Sequence, residues 1–314
     1  MKKLSSISLA LLSMLSFSAL ADTANLEDLE KACNASDGTA CESIAKAYEL
    51  GTNVETNFDK ANIYHQKACE LNIGVGCYNL IQDKFLQNGV NSPKNTKKLK
   101  ELFNKAWESG QGDGCAALGQ FMLFGYAGES DASKTVALYQ KGCDLGGQYA
   151  CANLAFAVSQ GMGTGKQDIA KGLEIAQHAC DNNNDYGCYV LAETYMLSEA
   201  PDFTKVVDAY QKSCDLGNEV ACSSLGEMYL DGYSIPKEQD KGATLLDKAC
   251  NQNYGYGCFM LGNYHYPAFA KDENYNGSVI KADLETSIKY FEKGCKVQDQ
   301  ASCDMLRTAK KAKK

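Results

Sequence analysis

Apolar and polar positions along this chain obey one rule repeated eight times. Counting from a cysteine as zero, position three is apolar: Ile44, Leu80, Leu118, Leu154, Leu191, Leu225, Leu261 and Leu306. Position four is usually small, as at Ala45, Gly119, Ala155, Ala192, Gly226 and Gly262, and position seven is often bulky, as at Tyr48, Met122, Tyr195 and Tyr229. Positions zero, three, four and seven share one helical face, so the spacing predicts a first helix starting at each such cysteine. A glycine at position ten (Gly51, Gly125, Gly161, Gly232) predicts its end, because glycine adopts the left-handed conformation at little cost. A second helix follows. Asp131, Asp168, Asp202 and Asp283 stand as N-caps, each twelve residues before another cysteine. The pairs Ile63 and Tyr64, Leu138 and Tyr139, Ala209 and Tyr210, and Tyr290 and Phe291 form its buried stripe. Lys67, Lys141, Lys212, Lys248 and Lys293 stand near its end, where a cation suits the helix dipole.

The cysteines that open the first helices, from Cys41 to Cys303, are 36, 38, 36, 37, 34, 36 and 45 residues apart. Two helices per period of that length predict an all-α chain, an α/α superhelical solenoid. Repeats start near residues 41, 77, 115, 151, 188, 222 and 258, with half repeats at 25–40 and 303–314, in a single unit over 22–314. The last full repeat is longer than the others, and its excess falls on a polar loop at 271–281.

Composition adds the compartment. Residues 1–21 read as a signal peptide: Lys2 and Lys3, an apolar run from Leu9 to Leu20, then Ala19-Leu20-Ala21 as the cleavage site. Removing two lysines and no acid takes the net charge from −8 to −10. An acidic chain without a basic face excludes a nucleic-acid partner, and Lys310, Lys311, Lys313 and Lys314 read as a solvated helix end. No later stretch is long and apolar enough to span a bilayer. The expected product is an exported monomer, periplasmic or secreted.

Export decides what the 15 cysteines do. An oxidising compartment favours disulfides. Metal ligation has no support, since C-x-x-C is missing and His65, His178 and His265 lie in different repeats. No metal and no cofactor is expected. Connectivity is not generally legible in sequence, but a separation of eight occurring seven times points to local bridges. The expected pairs are Cys33–Cys41, Cys69–Cys77, Cys143–Cys151, Cys180–Cys188, Cys214–Cys222, Cys250–Cys258 and Cys295–Cys303. An eighth junction has Trp107 in place of its first cysteine, so Cys115 is expected to be a free thiol packed against that ring.

The combination C-x-x-[LI]-[GA]-x-x-[YM]-x-x-G, D-x-x-K and K-[AG]-C, with the eight-residue cysteine step, resembles the Sel1-like (TPR-like) repeats. More narrowly, it resembles the Helicobacter cysteine-rich protein family, over Asp28 to the C-terminus. The resemblance implies a right-handed superhelix with a disulfide joining neighbouring repeats. It also implies two functions: adaptor surfaces for other proteins, and penicillin binding with slow β-lactamase activity. The residues themselves show no catalytic set. Ser43-Ile-Ala-Lys46 and Ser278-Val-Ile-Lys281 match S-x-x-K, but no K-T-G or S-D-N element accompanies them.

In such superhelices the first helices line the concave surface, and positions two, five and nine point into it. This nominates Asn79, Gln82, Gln120, Phe124, Asn153, Phe156, Glu193, Glu227 and Asn263 as groove residues. The phenylalanines would be apolar anchors for an extended peptide. The expected partner is a protein, a peptide or a cell-wall-derived (peptidoglycan) ligand; the alternative is a β-lactam substrate.

Overall fold

A computed structural model describes residues 25–86, 93–108, 110–126, 130–232, 234–267 and 282–313. Residues 1–21, expected as a signal peptide, and the expected loop at 271–281, with Ser278, lie outside them. The described residues form sixteen helices and no strand. After α1 (Leu26–Asn34), the first helices of successive units are α2 (Gly38–Leu50), α4 (Gly74–Leu86), α6 (Gly112–Leu123), α8 (Gln148–Ser159), α10 (Asp185–Met196), α12 (Glu219–Asp231), α14 (Gly255–His265) and α16 (Gln300–Ala312). The second helices are α3 (Phe58–Glu70), α5 (Pro93–Glu108), α7 (Ala132–Asp144), α9 (Ile169–Asp181), α11 (Phe203–Asp215), α13 (Gln239–Asn251) and α15 (Leu284–Lys296).

The first helices start three residues before the cysteine, not at it, which puts each cysteine one turn inside. The cause is a polar residue four positions upstream. Asp37, Asn184, Asn218 and Asp299 each accept from a backbone N–H of the first turn, at 2.6–3.1 Å. The second helices begin where expected, with Asp131, Asp168, Asp202 and Asp283 as caps. Helix α8 has no cap of its own. Asp113 of the preceding unit supplies one, accepting from the N–H groups of Tyr149 (2.9 Å) and Ala150 (3.2 Å). Burial pushes the Asp113 carboxyl up to about 6 against the pull of those donors.

All eight junctions between units share one backbone turn. The third residue after the first cysteine, or after Trp107, has φ between 58° and 105°: Ser36, Asn72, Gly110, Gly146, Asn183, Gly217, Asn253 and Gln298. Its N–H bonds the carbonyl three residues back at 2.8–3.1 Å, and the next N–H bonds the carbonyl five back at 2.9–3.2 Å. This is a Schellman closure. The residues preceding the two cysteines are small, which lets the helices touch. A Cβ on Gly76 would lie 2.7 Å from that of Ala68, and one on Gly187 would lie 2.6 Å from that of Ala179. Seven junctions are bridged by the expected disulfides, with Cα–Cα distances of 4.4–4.8 Å.

The eighth junction keeps the turn without the bridge. Gly110 has φ 81°, and Cys115 is a fully buried free thiol. Burial pushes that thiol up to about 11, so it is protonated and unreactive at neutral pH. Trp107 replaces the covalent link with contacts. It packs on the cluster of Phe103, Phe121 and Ala150, and the Lys141 ammonium of the next unit lies 4.5 Å from its ring centroid. Because the turn is already formed, Trp107→Cys is expected to close an eighth disulfide. A thiol titration in denaturant checks this: one free thiol per chain in the parent, none in the variant.

Lysines also tie units together. Near the ends of second helices, Lys67 donates to Asn34 (2.9 Å), Lys212 to the Cys180 carbonyl (2.7 Å) and Lys248 to Asp215 (3.2 Å). Each places a cation at the C-terminus of the preceding second helix, where the dipole favours it. Lysines three residues after the N-cap of a second helix act within a unit. Lys60, Lys205 and Lys241 lie 4.8, 5.5 and 4.2 Å from the ring centroids of Tyr48, Tyr195 and Tyr229.

The stack curves. In the middle of the stack first helices pack directly on their neighbours (α4 on α6, α6 on α8, α8 on α10), as α14 does on α16, whereas second helices scarcely meet. Elements that crowd one another lie on the inside of a bend, so the first helices line the concave side. The winding returns on itself: the Asn253 amide donates to the Glu49 carbonyl and to Thr56 Oγ1, both at 3.2 Å. Lys296 pairs with Glu55 at 3.8 Å. The hairpin between α2 and α3 thus touches the α13–α14 junction some 200 residues later.

Candidate functional site on the inner face

Positions zero, three and four of the first helices from α2 to α14 fill the core, and position seven joins them in α2, where Cys41, Ile44, Ala45 and Tyr48 are all buried. Position two was expected in the groove, and in α6, α8 and α10 it is not. Ala117 and Val190 are fully buried and Asn153 is 5% exposed, because curvature presses successive first helices together there. Gln120, at position five of α6, is also buried. Its Nε2 donates to Tyr78 Oη and Asn153 Oδ1, both at 3.2 Å. Asn153 Nδ2 donates to Tyr78 Oη (3.2 Å) and the Tyr149 carbonyl (2.8 Å). The rings of Tyr78 and Tyr149 stack with centroids 4.5 Å apart. Gln120 and Asn153 are therefore structural: a buried amide–tyrosine network joining three successive first helices.

Asn79 is half-buried and likewise committed, its Nδ2 donating to Glu42 Oε1 at 2.7 Å. Glu42 belongs to a cluster that periodicity gave no reason to expect. His65 of α3 is fully buried, with Nδ1 at 2.8 Å from Glu42 Oε2 and Nε2 at 2.9 Å from Glu49 Oε1. Burial alone would lower the imidazole, but hydrogen bonds to both carboxylates and their charges outweigh it, raising the ring to about 10. Burial works to raise Glu42, and the bonds and charge of His65 overcome it, leaving that carboxyl lowered. The set is a buried Glu–His–Glu ion triad. One signal could have found it: Glu42 and Glu49 are seven residues apart on one helix, and so share a face.

Apart from Gln120, positions five and nine remain open to solvent among the described residues. Leu50, Phe124, Phe156 and Leu197 occupy them and are 38–54% exposed, a recurrence of large apolar side chains on the inner face. In the later units carboxylates take the same places, each partnered by a tyrosine. Tyr210 Oη donates to Glu193 in a short bond, and Tyr189 bonds Glu193 as well. Tyr256 Oη donates to Glu227 at 3.4 Å, and Tyr264 Oη to Asp231 at 3.4 Å. Burial, with the Asp231 charge, raises the Glu227 carboxyl. Asn263 continues the row on α14, half-buried, its Oδ1 without a hydrogen-bond partner among the described residues. Gln82 lies on α4, but its side chain is outside the described residues.

Of the nominated groove residues, Phe124, Phe156, Glu193, Glu227 and Asn263 thus remain on an accessible face. The S-x-x-K pair on α2 does not assemble a nucleophile and base, because the Ser43 hydroxyl donates back to its own helix at the Thr39 carbonyl (3.0 Å). Among the described residues no group of three or more histidines, cysteines and acids is placed to hold a metal, and no helix is long and apolar enough to cross a membrane.

Comparison with known proteins places this architecture. The family profile described as Sel1 repeat matches residues 39–73, 112–147, 148–184, 220–254 and 255–298. No protein of curated function matches the chain. Among solved structures, a Sel1 repeat protein from Oxalobacter formigenes superposes with a TM-score of 0.53 at 18% identity, covering 90% of this chain and 79% of its own. An immunity protein from Pseudomonas aeruginosa gives 0.53 at 15% identity, covering 73% and 83%. Cysteine rich protein B of Helicobacter pylori gives 0.34 at 26% identity, covering 45% and 96%. The first two likenesses are of fold.

Proposed function

The chain belongs to the Sel1 repeat family, and from that premise we propose that it is an exported binding protein that holds a protein or peptide on its concave face. One observation carries the reading. Leu50, Phe124, Phe156 and Leu197 come from four separate units, yet all are exposed at position five or nine, on a first helix or at the cap that ends it. Scattered apolar residues are ordinary on a protein surface, but a recurrent row marks an interaction site. Export is supported by the signal-like residues 1–21 and by seven disulfides, which fit an oxidising, non-cytosolic compartment.

The test places a photo-crosslinking phenylalanine analogue at position 124, at 156, or at 63 on α3, where Ile63 is 65% exposed on a second helix. Irradiation in the producing cell is expected to give discrete adducts from 124 and 156 and none from 63. Equal adducts from all three sites, or none from the inner ones, would overturn the reading.

A further inference from the structure

The open part of the inner face is not uniform. From α6 onward it presents Phe124 and then Phe156, then Glu193 beside Leu197 at α10, and then Glu227 and Asp231. None of these three carboxylates has an ion-pair partner among the described residues, while acids elsewhere, such as Asp131, Asp202 and Glu285, pair with lysines. Instead they are held by tyrosine hydroxyls, whose rings offer a negative face beside a negative charge. Carboxylate and aromatic ring together favour an ammonium or guanidinium group.

Resting on the binding function above, we infer that the occupant is an extended segment with apolar side chains at one end and lysine or arginine at the other. The apolar end lies on Phe124 and Phe156, and the cationic end on Glu193 and Glu227. Geometry sets the spacing. Packed helices stand about 8–10 Å apart, and an extended chain advances about 3.3 Å per residue. Across the directly packed helices α6, α8 and α10 one unit therefore matches about three residues, and the same step carried on to α12 gives apolar, apolar, cation, cation at every third position.

The probe is a fluorescein-labelled decapeptide, Phe-Ala-Ala-Phe-Ala-Ala-Arg-Ala-Ala-Arg, titrated by anisotropy into the full disulfide-bonded chain. Two partners of equal length accompany it: one with citrulline for both arginines, and one with the phenylalanines and arginines interleaved. The arginine peptide is expected to bind about tenfold tighter than either, with an advantage that shrinks as salt is added. Glu193→Gln with Glu227→Gln preserves the tyrosine bonds and is expected to abolish the advantage over citrulline. Equal binding of the citrulline or interleaved peptide, or an advantage that survives in the double variant, overturns the cationic assignment alone. Failure of all three peptides to bind overturns it together with the peptide-binding function.

Discussion

Reduction of the seven disulfides is expected to unfold the chain in native buffer at room temperature. Each bridge closes a loop of eight residues, for which loop entropy gives about 2–3 kcal/mol. Seven such terms together exceed the roughly 5–15 kcal/mol of net stability typical of a folded protein. A solenoid is exposed to this loss, because each unit contacts mainly its neighbours and opening at one junction frees two ends. The turn itself does not need the bond: at Trp107 the same Schellman closure stands unbridged, held by packing and Lys141. The bridges therefore lock a turn the backbone already prefers, and refolding under oxidising conditions should restore the same seven pairs. Far-UV circular dichroism against reductant checks the first point, and non-reducing peptide mapping the second. A melting temperature within a few degrees of the oxidised protein would contradict the expectation.

His65→Leu is expected to destabilise the protein by about 3–5 kcal/mol, the usual cost of breaking a buried ion pair. The substitution removes the cation and leaves the buried Glu42 and the half-buried Glu49 facing one another without it. The parent's pH dependence follows from the same contacts. The folded imidazole titrates near 10, above its ordinary 6.5, so its contribution is complete below pH 6.5 and is lost as pH rises toward 10. Glu42 is lowered, so its contribution is present above its ordinary 4.5 and is lost as pH falls through its folded value. The triad thus stabilises most between about pH 4.5 and 6.5. Chemical denaturation across pH should show the parent's advantage over His65→Leu widest there and shrinking toward pH 10. A flat difference would mean that the ring is neutral in the folded chain.

Much of this architecture was legible before any coordinates. The period, the alternation of two helices, the caps at Asp131, Asp168, Asp202 and Asp283, and the seven cysteine pairs all depend on local spacing, and spacing is written in the chain. The misplaced helix starts were also legible in principle. Asp37, Asn184, Asn218 and Asp299 are good caps, and a cap outranks the first apolar residue as a boundary.

The groove was only half legible. Position five of α6 and position five of α8 have the same place in the pattern, yet Gln120 is buried and Phe156 is exposed. Their difference comes from what the neighbouring first helix puts against them: Tyr78 reaches across to Gln120, whereas Phe156 is left 39% exposed. The triad was not legible as a cluster, because its histidine and its glutamates lie on different helices and meet only when α3 packs on α2.

The sequence by itself determined the unit, the number of units and the covalent staples, because each is settled within about forty residues of chain. Tertiary structure decided which inner positions stay open, the charge on His65, and the meeting of Asn253 with Glu49. Those depend on curvature, which accumulates from small rotations at every junction and is encoded at no single residue.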